Sequence, residues 1–262
     1  MTSPLTLALY QCVPGPLDVA GNLYRLDQAA QQAHAGGADM LVCPEMFLTG
    51  YNIGATGVAQ LAAPADGAYA QAVAEIAQRH QVAIVYGYPE RAEDGAIFNA
   101  AQWVSANGQR RLNYRKTHLF GTLDKNQFAA GEPTSELMDI KGWRVGLLIC
   151  YDVEFPENTR RLALAGADLI VVPTANMADF DFVSTAVVPV RAYENQVYLA
   201  YANYTGFEGD LHYGGLSTVA APDGAVQAQA ARAETLLFTT LSRERLDAAR
   251  RHCTHLVDIK EA

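Results

Sequence analysis

Short apolar runs, rich in Val, Ile and Leu and bounded by Gly, Pro or Asp, recur along the chain and alternate with alanine-rich stretches whose apolar residues fall at helical spacing. A chain that keeps returning from helix to strand has βα units as its simplest solution. The pattern predicts an α/β fold with strands near Leu5–Cys12, Met40–Pro44, Ala83–Tyr88, Ile97–Val104, Arg144–Cys150, Leu169–Pro173, Val197–Tyr204, Leu216–Ala221 and Thr235–Leu241. Helices are expected over Asp18–Ala35, where Asp18 suits an N-cap and Gly36-Gly37 a stop, over Ala68–His80 and over Glu157–Ala165. A polar segment holding Glu93-Asp94-Gly95 joins two of the strands as a hairpin, so the sheet is expected to be mixed.

Half of the 262 residues are hydrophobic and 18% are charged, enough apolar material for a large core. No linker, charge block or 20- to 50-residue repeat divides the chain, which reads as a single domain over residues 1–262. No apolar run approaches the ~18 residues that cross a bilayer, and the first residues lack a secretory pattern, so the expected location is the cytoplasm. With 28 acidic against 19 basic residues the formal charge is −9, which repels phosphate backbones and argues against a nucleic-acid partner. Cys12, Cys43, Cys150 and Cys253 are scattered without CxxC or zinc-finger spacing, so neither a disulfide framework nor a metal site is expected. Asn203-Tyr204-Thr205 matches a glycosylation sequon and reads as accidental.

Three segments share one grammar, an apolar strand ending in a reactive or ionisable residue, followed by a turn. Ligands of open α/β sheets bind at such strand ends. In CPEMFLTGY, Glu45 follows a buried-looking strand among apolar neighbours, where a carboxylate is costly unless paired; it reads equally as a helix N-terminal acid. In YRKTHLFG, Lys116 enters an aromatic-flanked loop and taken alone reads as solvated. His118 there offers a competing papain-like Cys–His dyad. In GLLICYDVEFPE, a strand runs into Cys150 and a helix opens near Pro156, an elbow that lifts a thiol from the sheet and leaves N–H groups for an oxyanion. Cys12 and Cys43 read as inert core residues. The stretch from Lys116 to Pro133 reads as irregular and, being long, as functional.

These three segments resemble the signatures of the nitrilase superfamily of carbon–nitrogen hydrolases, whose catalytic residues are Glu, Lys and Cys in that order. VVPTANM, RAYENQVYLAYAN and GGLSTVAAPDG resemble its later blocks, and YQCVPGPLDVAGNL, LTGYNIG and IVYGYPE are most similar to the branch holding 5-aminopentanamidase and R-stereoselective amidases. The resemblance implies a four-layer αββα sandwich, a homodimer or higher homo-oligomer, and no metal or organic cofactor. It implies Glu45 as general base, Cys150 as nucleophile, and Lys116 with the Tyr151 N–H as oxyanion stabiliser. The family's second glutamate, eight residues after the lysine, is replaced here by Asp124, one methylene shorter, so that either the loop moves inward or water bridges the gap.

The implied activity is hydrolysis of a short aliphatic amide to its acid and ammonia through a thioester, with an ω-amino amide such as 5-aminopentanamide as substrate. Tyr51, Phe120, Tyr151, Asn176 and Met177 are candidate pocket walls, or else core packing. Glu154, Asp152 and Asp179 suit a substrate ammonium, or else a helix cap or the solvated surface; Arg191 reads as structural within the RAYEN helix. The alternatives are an ω-amidase, an N-carbamoyl amino acid amidohydrolase, a nitrilase, or a catalytically silent binding module. Arg243 to Ala262 is expected to form a helix and a tail that reaches a partner subunit.

Overall fold

The computed structural model describes residues 3–260. Two six-stranded mixed sheets stack face to face between helices. The first is built from β1 (Leu5–Gln11), β2 (Met40–Val42), β3 (Ala83–Arg91), β4 (Ile97–Val104) and β5 (Arg110–Arg115), in that order, with the late strand β14 (Thr235–Leu241) on the free side of β1. The second runs β6 (Met138–Ile140), β7 (Trp143–Leu147), β8 (Leu169–Pro173), β9 (Tyr198–Ala202), β12 (Thr218–Ala220) and β13 (Val226–Gln229). A separate hairpin pairs β10 (Thr205–Glu208) with β11 (Leu211–Gly214).

Both sheets read antiparallel, parallel, parallel, antiparallel, antiparallel from the β14 or β6 edge. The halves therefore share one plan, although no repeat is visible in the residues. The expected α/β class with mixed sheets holds, including the hairpin through Gly95, whose φ of +87° suits the tight turn.

Continuous apolar runs are required because both faces of each strand are covered. In β1, Leu5, Leu7 and Leu9 face the seam between the sheets, whereas Ala8 and Tyr10 face the outer helices; β2 and β3 divide in the same way. The outer layer of the first sheet is α1 (Val19–Ala35) and α3 (Ala68–His80). In α1, Leu26, Ala29, Ala30 and Ala33 make the buried stripe, and full burial of a side chain such as Leu26 contributes about 1.5–3 kcal/mol. Asp18 caps α1 by accepting from the Gly21 N–H at 2.9 Å, and Gly36 closes it. The second sheet is covered by α5 (Pro156–Leu164) and α6 (Val188–Asn195).

Several boundaries differ from expectation. The strands begun at Met40, Arg144, Val197 and Leu216 are shorter than read, because their ends turn out of the ladder to carry loop residues. The strands β5, β6, β10, β11 and β13 and the helix α2 (Gly54–Leu61) were not anticipated. The Lys116–Pro133 stretch is not wholly irregular, since it holds α4 (Gly121–Lys125) and a bridge from Ala129 to Phe98. The C-terminal segment forms α7 (Arg243–His252) and α8 (His255–Asp258).

Candidate active site

Glu45 lies just past β2 on a loop that turns sharply at Met46, where φ is +52°. The loop presses on β3 at Gly87, where a Cβ would come within 2.2 Å of the Met46 nitrogen and 2.9 Å of the Glu45 carbonyl carbon. Only glycine permits this approach. Glu45 is fully buried, and its Oε1 accepts from Asn99 Nδ2 at 2.7 Å and from Lys116 Nζ at 2.7 Å. Its Oε2 has no hydrogen-bond partner among the described residues, leaving a proton acceptor unused.

Lys116 follows β5 directly and is also fully buried. Its ammonium is shared with Asp124 Oδ2 at 2.7 Å. Asp124, carried on α4, further accepts from the Phe120 N–H at 2.9 Å and from the Tyr51 hydroxyl at 2.8 Å. The shorter side chain thus reaches Lys116 directly, without a bridging water.

Cys150 opens a 3₁₀ turn, Cys150–Glu154, with φ at +44°, a left-handed conformation that costs a non-glycine residue about 1–3 kcal/mol. Asp152 holds this elbow. Its Oδ2 accepts from the Ile149 N–H at 3.2 Å and the Tyr114 hydroxyl at 2.9 Å, and its Oδ1 from the His118 N–H at 2.8 Å and the Thr117 hydroxyl at 2.7 Å. The elbow of the second sheet is thereby fastened to the loop that carries Lys116.

Burial dominates the electrostatics. It pushes the Glu45 carboxyl above 4.5, a rise opposed by Lys116 and reinforced by Asp124. Lys116 is drawn well above 10.5; burial opposes its charge, but the two carboxylates outweigh that cost. The Cys150 thiol is pushed up by burial and by Glu45, and pulled down by Lys116. The resting thiol is therefore protonated and must pass its proton to a neighbour before it attacks.

Tyr51, Phe120, Cys150, Tyr151, Glu154, Ala175, Asn176 and Met177 line one recess of about 240 Å³ of empty space, its mouth included. The five expected pocket walls are among them, and so is Glu154 of the three candidate acids. Glu154 is half-buried; its backbone carbonyl accepts from Arg191 at 2.7 Å, but its carboxylate has no hydrogen-bond partner among the described residues. Burial raises its carboxyl, against Arg191 and Lys116.

Three other readings are corrected. Asp152 spends both oxygens on the elbow and is closed to an ammonium, Asp179 is exposed and outside the recess, and His118 does not line it. The His118 Nδ1 lies 3.1 Å from Asp152, and its ring stacks on Phe155 at 3.8 Å, so the papain-like dyad does not form. Arg191 is structural as expected, held on the Val153 and Glu154 carbonyls. Sequence reasoning missed Asn99 and Gly87, whose partners are distant in the chain; the polar residue inside an apolar strand and the glycine inside another were the available signals.

Among the described residues, no helix is long and apolar enough to cross a membrane, and no cluster of His, Cys, Asp and Glu is arranged to hold a metal. The fold and this buried carboxylate–lysine–thiol group define a class. Residues 6–251 match the carbon-nitrogen hydrolase family, and the chain belongs to that family within the nitrilase superfamily. It is 56% identical to the "hydrolase in pqqF 5'region" of Pseudomonas protegens, over 97% of this chain and 88% of that one. It is 36% identical to an (R)-stereoselective amidase of Pseudomonas sp, over 92% and 86%. A double mutant of the amidase from Nesterenkonia sp. AN1, in complex with acrylamide, superposes with a TM-score of 0.90 at 32% identity, over 98% and 94%. In a single mutant of that amidase, at TM-score 0.86, 32% identity and 99% and 95% coverage, the acetamide moiety of fluoroacetamide is bonded to the active-site cysteine.

Proposed function

We propose that the protein hydrolyses a short aliphatic amide through a thioester on Cys150. The observation that supports this most is the buried Lys116 shared by Glu45 and Asp124, whose charge acts on the Cys150 thiol that lines a small recess. The free Oε2 of Glu45 takes the thiol proton as sulfur bonds to the carbonyl carbon. Lys116 and the Tyr151 N–H, the latter without an intrahelical partner at the start of its turn, stabilise the oxyanion. The C–N bond then breaks, Glu45 returns the proton to the departing amine, and ammonia leaves. Water, deprotonated by Glu45, adds to the thioester; the carboxylic acid departs and the thiol is restored.

The finer reading is an ω-amino amide such as 5-aminopentanamide. Glu154 supports it, being the acid of the recess with which no cation pairs directly among the described residues, set among aromatic walls that favour a cation. We further read the enzyme as a cytoplasmic homo-oligomer of single-domain subunits; exposed Leu164, Val190 and Tyr193 on α5 and α6 suit a subunit contact.

Ammonia release from 5-aminopentanamide, a neutral amide, α-ketoglutaramate, an N-carbamoyl amino acid and a nitrile tests both levels. The amino amide should lead, Cys150→Ala should be silent, and Glu154→Gln should narrow the preference over the neutral amide by at least tenfold. A neutral amide that leads, with Glu154→Gln without effect, removes the ω-amino assignment and leaves the amidase. Silence of the wild type on every amide removes both.

A further inference from the structure

Glu208 lies at the end of β10, on the hairpin that belongs to neither sheet, and is only 2% exposed. No Lys or Arg pairs with it among the described residues. A lone buried carboxylate is costly, and it is tolerated only where donors replace its lost water. Here they are neutral. Oε1 accepts from the Tyr51 N–H at 2.9 Å, and Oε2 accepts from the Asn52 N–H at 2.9 Å and from the Tyr213 hydroxyl.

The turn it grips is shaped for this carboxylate. At Gly50, where φ is +88°, a Cβ would stand 2.4 Å from Glu208 Oε1 and 2.8 Å from the Pro16 Cα. The Asn52 side chain adds bonds to the Glu208 carbonyl at 3.3 Å and to Asp210 at 2.8 Å. The loop carrying Tyr51 is thus tied to the hairpin by backbone and side chain together.

Tyr51 is the residue through which this matters. Its hydroxyl holds Asp124 Oδ1 at 2.8 Å, its ring centroid lies 5.6 Å from Lys116 Nζ, and its ring lines the recess. The other end of the hairpin supports the opposite wall, with the Gly214 N–H donating to the Asn176 carbonyl at 3.0 Å and Tyr213 bridging to Met177.

We propose that Glu208 is a positioning residue for the hydrolytic centre, setting Tyr51 so that its hydroxyl fixes Asp124 and, through it, Lys116. The proposal rests on the amidase reading above. Its test is a double-mutant cycle over wild type, Glu208→Gln, Tyr51→Phe and the double variant. kcat and KM are read from ammonia release, and the rate of iodoacetamide alkylation at Cys150 is followed by peptide mass spectrometry.

Glu208→Gln turns an NH₂ group on backbone donors, shifts the loop, and should lower kcat roughly 10- to 100-fold with a smaller change in KM. In the Tyr51→Phe background, where the link to Asp124 is already cut, the same substitution should cost under about 2-fold. Cys150 alkylation should change in Glu208→Gln and change little further in the double variant. Tyr213→Phe, which removes one donor and keeps the carboxylate, should act in the same direction more weakly and serves if Glu208→Gln does not fold.

Equal losses in both backgrounds would show that Glu208 supports the fold without acting through Tyr51, and unchanged kcat and alkylation would remove any role at the site. Either result overturns the proposal. If the wild type hydrolyses no amide, the functional reading fails separately, and the alkylation cycle still decides whether Glu208 governs the thiol's surroundings.

Discussion

Tyr51 donates to one oxygen of Asp124 at 2.8 Å while Lys116 takes the other at 2.7 Å. The short carboxylate is thereby fixed at both ends, and the Phe120 N–H adds a third bond. A side chain one methylene shorter than the family's usual glutamate still reaches Lys116 directly from α4, and the phenol closes its remaining side.

Tyr51→Phe should therefore lower kcat about 10-fold, since it leaves a buried carboxylate oxygen without its donor, a loss worth about 1–3 kcal/mol. Steady-state ammonia release checks this. Unchanged kcat would mean that Lys116 alone orients Asp124.

Asp124→Asn should move the acid limb of the kcat/KM profile to lower pH while reducing the maximal rate. Glu45 must be ionised to accept the thiol proton, so activity rises with pH through its titration. Its carboxyl sits above 4.5, and the negative Asp124 is one of the causes. A neutral asparagine removes that repulsion and leaves Lys116 more fully to Glu45, and both effects lower the Glu45 value. A limb that stays or moves up would assign it to another group.

Gly87→Ala should leave the protein folded and reduce kcat by about 100-fold. The added methyl meets backbone, 2.2 Å from the Met46 nitrogen, and pushes the Glu45 loop off β3. A displacement near 1 Å at a reacting group costs about that factor. Circular dichroism beside kinetics separates this from unfolding, and retention of full activity would mean that the loop yields without moving the carboxylate.

Lys116→Ala should cost at least 10²- to 10³-fold in kcat, as loss of an oxyanion donor does. It should also destabilise the protein by about 3–5 kcal/mol, because two buried carboxylates lose their cation. His118→Ala removes a stacked ring and its contacts with Asp152, Thr117 and Asn158, none of them a group of the recess, and should cost far less. The two single variants, assayed for turnover and thermal unfolding, decide the order. The reverse order would restore the Cys–His mechanism.

Much of this site was legible in the residues, since Glu45 and Cys150 each stand just past an apolar strand, Lys116 sits in a segment that matches a family signature, and Asp124 stands at a fixed step from Lys116. The walls of the recess were legible for the same reason. What the chain concealed are partners distant in sequence. Asn99 and Glu45 are 54 residues apart, and Glu208 and Tyr51 157 apart, so no local spacing marks either pair. The missed strands β5, β10 and β11 are short and polar, formed by pairing with neighbours and not by any apolar run of their own. Asp152 and Asp179 were indistinguishable as candidate acids until their surroundings were known.

The two sheets divide the labour of the site. Glu45 and Lys116 project from loops of the first sheet, and Cys150 from an elbow of the second. Between them lies a seam packed with fully buried Trp103, Trp143 and Tyr198. Sulfur and base therefore meet only while one layer keeps its registry on the other, and turnover becomes a gauge of slippage along that seam. Truncations there, far from any substrate atom, should blunt the reaction before they melt the protein.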